Sequence, residues 1–310
     1  MSEHIIDHYA NQIPILPGEY LPAYLARLRK MTCGIEPRRL MSFSGSTQMG
    51  KLHQLFPRVA SCFAYRPSER ERSGALLQEH LGARYWRGFL DERAYKEHVQ
   101  QVNLKVKSKR SIFDGEELLN SLKPIKFCEH CRDDDIERYG TPMWHAAHQV
   151  TSLYVCEKHR VPLHQFSMEP DKTLLDYPVI TNFVAANSAS VQADPLRTWL
   201  DVASKQLLKI RTIHNRERIK DIKSDMARAF RAKETPYTMR VNIEYRNAWR
   251  SYAADSLNAL CPNEQCFKFF LARPSLGLTQ QLKQNAPVRH PLIFLLAMKF
   301  AEDMVGGNLS

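Results

Sequence analysis

Four metal-type donors stand in two pairs of identical spacing, Cys128-x2-Cys131 and, after 24 intervening residues, Cys156-x2-His159. A two-residue gap lets both donors of a pair converge from one tight knuckle, and two knuckles complete a tetrahedral shell. Three thiolates and one imidazole form a soft set that favours zinc over calcium or magnesium. All four positions are filled by protein, so the spacing predicts one structural Zn2+ rather than a catalytic metal with an open position. Such a site contributes on the order of 10 kcal/mol of folding free energy, enough to shape a segment with little core of its own. Cys261-x4-Cys266 is half a signature, with His290 the nearest downstream imidazole. It reads as two free thiols on a helix, a second zinc site being the less favoured alternative. Cys33 and Cys62 read as semi-buried thiols.

Between the pairs lies Asp133-Asp134-Asp135-Ile136-Glu137-Arg138-Tyr139-Gly140, expected as one or two helical turns ending at glycine. The helix dipole accounts for three aspartates if they sit near the helix start. Consecutive helical residues point in different directions, which argues against a second, magnesium-type site. Trp144-His145-Ala146-Ala147-His148-Gln149 follows. Here Trp144 is expected to fill the core of the lobe and His148 to donate to a backbone carbonyl beneath it. Leu153-Tyr154-Val155 reads as a short strand.

The charge is unevenly distributed. Net charge is +11 over 310 residues, made of +7 in residues 1–127, −5 in 128–204, +8 in 205–250 and +1 in 251–310. Two basic regions flanking an acidic one suit a polyanion-binding chain whose cysteine-rich part is not the phosphate reader. The candidate nucleic-acid contacts are Arg38, Arg39, Lys105, Lys107, Lys205, Lys209, Arg211, Arg216, Arg218 and Lys220. Hydrophobic content of 44% with 25% charged residues excludes global disorder. The apolar run around Leu292 to Met298 is too short to span a bilayer, and the amino terminus does not read as a secretion signal. No Gly-rich phosphate loop of the P-loop type is present.

Outside the cysteine-rich part the dominant period is helical. Tyr20, Leu21, Tyr24, Leu25 and Leu28 form one apolar face of a helix over residues 18–30, with Pro17 just ahead. Gly34 and a second start at Ile35–Leu40 complete a helix-turn-helix-like pattern. Residues 70–104 read as further helix, Lys105–Arg110 as a basic strand or linker, and 167–187 as loop-rich. From Leu196 to Phe230 an apolar stripe runs beside Lys205, Lys209, Arg211, Arg216, Arg218, Lys220, Lys223, Arg228 and Arg231, interrupted near His214-Asn215. That is a basic amphipathic helix or helix pair. Two more helices are expected over 244–260 and 291–304. The expected architecture is mainly α with a small zinc-stabilised α+β, zinc-ribbon-like lobe. It divides into an N-terminal helical domain (1–122), a Cys3His lobe (123–170) and a C-terminal helical domain (171–310).

The stretch from Phe127 through the two knuckles to Val161-Pro162-Leu163, with its Tyr139-Gly140 and Trp144-His145-x2-His148-Gln149 cores, resembles the TniQ/TnsD family of transposon target-selection proteins. Pro17 to Leu40 is similar to that family's N-terminal helical hairpin, and Arg289–Leu296 to a segment of its longer members. The resemblance gives Cys128, Cys131, Cys156 and His159 the zinc role, and Trp144, His148 and Gln149 structural positions. It implies a non-catalytic adaptor for target-site selection in DNA transposition. Such an adaptor links target DNA, directly or through a CRISPR effector complex, to an AAA+ ATPase of the TnsC type. A homodimer is left open, and a cytoplasmic, bacterial, nucleoid-associated location is implied. The length leaves open whether the chain is a short member or the N-terminal part of a longer selector. Two alternatives stand beside it. One is a metal-dependent His-Asn-His-type nuclease, for which the six residues between Gln149 and Cys156 leave little room. The other is a protein-interaction scaffold that binds no DNA.

Overall fold

The computed structural model describes residues 13–31, 79–80, 89, 124–167, 178–192, 194–209, 215–234, 239–260, 277–284, 286, 288 and 290–305. Arg38, Arg39, Lys105, Lys107, Arg211, Cys33, Cys62, Cys261 and Cys266 lie outside them, as do Gly34 and the expected second helix of the N-terminal pair. The described residues fall into two compact units, one holding 13–31, 79–80 and 124–192, the other holding 89 and 194–305. Helices predominate, with a small sheet in the first unit. No helix among the described residues is long and apolar enough to cross a membrane.

The first unit opens with α1 (Leu21–Met31), α2 (Glu129–Tyr139) and α3 (Asn182–Ala186), around strands β1 (Ile125–Phe127), β2 (His164–Phe166) and β3 (Ala189–Ser190). The strands pair antiparallel in the order β1-β2-β3, with Phe127 opposite His164 and His164 opposite Ser190. Tyr20, Leu21, Tyr24, Leu25 and Leu28 are all buried, as the helical periodicity requires. The helix starts three residues later than expected. Pro17 and Gly18 instead form a turn, with Gly18 at φ +74°, and Pro22 is the proline inside the first helical turn. That turn sets up a seam, in which the Tyr20 amide donates to the Trp144 carbonyl (2.6 Å) and the Ala146 amide to Gly18 (2.9 Å). Helix α1 is thereby hydrogen-bonded to the cysteine-rich segment.

The second unit packs α4 (Pro195–Lys209), α5 (Asn215–Ala229) and α6 (Ile243–Leu260) against α8 (Pro291–Val305). A short α7 (Leu278–Leu282) and a hairpin of β4 (Lys233–Glu234) and β5 (Met239–Arg240) complete it. Leu292 through Ala297 are buried without a break, so the first half of α8 is covered on every face, while Asp303 and Met304 near its end are exposed. Phe300 anchors the aromatic centre, 5.4 Å from Phe230 and 5.7 Å from Trp249 between ring centroids. The helix pair expected around His214-Asn215 is present as α4 and α5, and α7 is a helix the periodicity did not single out.

Lys223 departs from the sequence reading. The sequence pattern puts it on the basic flank of the amphipathic stripe, yet it is 1% exposed. Its ammonium donates to the carbonyls of Ala286 (2.6 Å) and Lys283 (3.1 Å), just beyond α7, and sits 5.9 Å from the Phe294 ring centroid. Burial lowers its pKa to about 8. A lysine stem is apolar enough to run through a core when its tip finds carbonyl acceptors.

Candidate metal centre

The first knuckle arises where β1 runs into α2. Cys128 is the N-cap residue of α2, its carbonyl accepting from the Arg132 amide (3.0 Å), and Cys131 lies within the first helical turn. Gly140 closes the same helix in the left-handed region (φ +70°), its amide donating to Ile136. The second knuckle is a tight turn in which Arg160 donates to the Cys156 carbonyl and Cys156 to Val161, both at 2.9 Å. Arg160 takes φ +59° to make that turn. Rather than a regular strand, the segment before it contributes an isolated bridge, Val155 with Pro162.

The two knuckles bring together the four predicted donors. His159 Nδ1 lies 3.3, 3.5 and 3.7 Å from the sulfurs of Cys131, Cys128 and Cys156, and the Cys131 and Cys156 sulfurs are 3.7 Å apart. Metal–sulfur bonds of ~2.3 Å and metal–nitrogen bonds of ~2.0 Å at tetrahedral angles give edges of about 3.5 to 3.8 Å. The donor atoms all lie within 4.8 Å of one another. The cysteines are free thiols, and they pack with Leu163 in one buried cluster. The set fits a metal ion and is compatible with one structural zinc.

The protein groups alone do not ionise the three thiols alike. The hydrogen bond to Cys156, with burial, pushes the Cys131 thiol up, and burial pushes Cys128 up. Hydrogen bonds from Cys131 and His148 pull Cys156 down. Three sulfurs this close do not all ionise beside one another, and a dication at their centre is what makes that possible.

Around the donors the structure revises the expectations. The three aspartates sit in the middle of α2 rather than at its start, so the helix dipole does not explain them. Each has a separate partner. Asp133 accepts from Arg132 (2.8 and 2.9 Å), Asp134 from Lys158 and from His159 Nε2 (3.1 Å), and buried Asp135 from His145 Nε2 (2.8 Å). Lys158, joined by His159, holds the Asp134 carboxyl below its usual range. His148 does not reach a backbone carbonyl. Its Nε2 faces Cys131 Sγ at 3.9 Å, its ring lies 4.9 Å from that of His145, and burial pushes its pKa down.

Trp144 and Gln149 hold the centre in place. The Trp144 ring meets Phe127 edge-on at 5.8 Å, and its indole N–H donates to Pro178 (2.7 Å). Gln149 acts as a surrogate strand on the edge of β1, accepting from the Lys126 amide (3.1 Å) and donating to the Lys126 carbonyl (2.7 Å). Lys126 is buried, its ammonium donating to Val150 and Leu153 and lying 5.0 Å from the Tyr154 ring centroid. The sequence signalled none of this, because a lone lysine between apolar residues gives no hint of inward carbonyls.

Of the described candidate nucleic-acid residues, Arg218 is exposed on α5 and Lys220 partly exposed. Lys205 is paired with buried Asp201 one turn away. Lys209 closes α4 and Arg216 lies in the first turn of α5, their side chains being outside what is described.

Fold and site together define a small helical unit closed around two Cys/His knuckles whose four donors could hold a metal ion. Residues 12–163 match the model of the TniQ family, and the chain belongs to that family. Membership ties it to target selection in DNA transposition. No curated protein matches the chain.

Proposed function

We propose that this chain is a non-catalytic adaptor that selects target sites for DNA transposition, and that its Cys3His cluster holds a structural Zn2+. The adaptor links target DNA, read directly or through a CRISPR effector complex, to an AAA+ ATPase of the TnsC type. The TniQ match over residues 12–163 carries this reading. The closed donor set supports it, since Cys128, Cys131, Cys156 and His159 leave no ligand position for a reacting water. His145 and His148, the histidines a nuclease would need, are turned to Asp135 and to Cys131. Exposed Asp133 and Glu137 on α2 disfavour phosphate at that surface and suit a protein partner. The phosphate contacts are assigned to the basic regions on either side, with Arg218 and Lys220 among them.

The test is reconstitution of the chain with an AAA+ ATPase of the TnsC type and DNA carrying or lacking the target. Adding or omitting the guide-RNA complex separates the two targeting modes. The adaptor reading expects ATPase retention on target DNA only when the chain is present. Retention without it, or cleavage of DNA by the purified chain with Mg2+ or Mn2+, would overturn the reading.

A further inference from the structure

We propose that Asp134 is a positioning residue of the metal centre, holding His159 so that Nδ1 rather than Nε2 is presented to the ion. This rests on the reading that the four donors bind zinc. The two nitrogens of His159 face opposite ways. Nδ1 points into the cluster, 3.3 to 3.7 Å from all three sulfurs, and Nε2 points out to Asp134 Oδ2 at 3.1 Å. When Nδ1 binds a cation, the ring's remaining proton resides on Nε2, where a carboxylate is the strongest acceptor available. The imidazole is thus fixed in tautomer and orientation, and its ligating nitrogen becomes a better donor.

The placement of Asp134 follows from α2. Residues three apart on a helix share a face, so Cys131 and Asp134 approach the ion from the same side, one as donor and the other behind the opposite knuckle's histidine. Lys158, the residue before His159, donates to the same Oδ2 and braces the carboxylate from the second knuckle. The contact therefore ties the two knuckles together outside the metal shell. The other two aspartates do not duplicate it, since Asp133 faces Arg132 at the surface and Asp135 faces His145.

The experiment measures zinc affinity of the full chain by competition with a chromophoric chelator, for wild type, Asp134→Asn, Asp134→Glu and Asp133→Asn. Wild type is expected to bind one zinc. Asp134→Asn is expected to weaken binding about 10- to 100-fold, the range seen when such outer partners are removed. Asp134→Glu restores part of the loss, and Asp133→Asn, which removes the same charge one residue away, stays within about two-fold of wild type. Nitrogen-15 histidine spectra of the zinc-loaded protein supply a readout that general destabilisation does not move. They show Nδ1 ligation with protonated Nε2 in wild type and a changed His159 Nε2 signal in Asp134→Asn. Equal affinity of Asp134→Asn and wild type would overturn the proposal, as would an equal loss in Asp133→Asn. Absence of zinc from the wild type would instead overturn the reading of the site itself. If Asp134→Asn does not fold, affinity and spectra of Asp134→Glu decide, an unshifted His159 Nε2 signal counting against the proposal.

Discussion

Arg27 clasps Glu19 with two parallel hydrogen bonds, Nε to Oε1 at 2.8 Å and Nη2 to Oε2 at 2.6 Å, where the glutamate side chain is only 2% exposed. Planar pairing satisfies both oxygens of a carboxylate that faces little water, and the Leu16 amide adds a third donor at 3.0 Å. The same Arg27 reaches the Pro14 carbonyl (3.0 Å), so one guanidinium organises the turn that leads into α1.

Removing Arg27 while leaving Glu19 is therefore expected to be costly. Arg27→Ala strands a buried charge and should destabilise the unit that carries the Cys3His cluster by about 3 kcal/mol or more. Urea unfolding followed by a probe in that unit measures it. A loss below about 1 kcal/mol, as for an exposed pair, would show that the clasp is not desolvated in solution.

Gln149 offers a smaller test on the same unit. In Gln149→Ala the backbone amide and carbonyl of Lys126 both lose their partner on an edge strand. A loss of about 1–3 kcal/mol is expected, with faster amide exchange at Lys126. Gln149→Glu keeps the acceptor and loses the donor, so it should protect the amide while failing to restore stability.

Lys223 makes a prediction about pH. Its folded pKa of about 8 lies below the ordinary lysine value because of burial. Between those two values the unfolded chain binds more protons than the folded one, so stability attributable to Lys223 rises with pH. The wild type should gain relative to Lys223→Met as pH increases from 7 to about 10, by on the order of 2 kcal/mol. Paired chemical denaturation curves at several pH values check the sign. A constant difference would place the ammonium in water.

Charge reversal separates the basic residues of α4 and α5. Arg218→Glu with Lys220→Glu should weaken DNA binding and reduce the salt slope by about two, one for each phosphate contact. Lys205→Glu should change the slope little, because Lys205 is already paired with Asp201. The measurement is affinity against salt concentration, and an unchanged slope in the double variant removes α5 from the contacts.

These residues also show which parts of the molecule could be read from its sequence. The four donors were legible because convergence on one ion demands fixed short spacings, α1, α4, α5 and α6 because their buried faces repeat every three or four residues, and α8 because its apolar run is long enough for a buried helix. Asp134 and Asp135 were visible as residues but not as partners of His159 and His145. Their roles depend on how two turns of chain fold back on α2. Lys126 and Lys223 were hidden for a different reason. A charged side chain in an apolar stripe reads as surface unless the carbonyls that receive it are known. The short strands β1 to β3 carry too few residues for an alternation to show.

The seam between Gly18-Tyr20 and Trp144-Ala146 has a consequence for synthesis on the ribosome. The strand-like entry to α1 is made first, yet its hydrogen-bonding partners emerge only after most of the first half of the chain. Until Ala146 is clear of the exit tunnel, the turn that leads into α1 lacks these hydrogen-bonding partners. Among the described helices, α1 is therefore the first to be translated and one of the later ones to be locked.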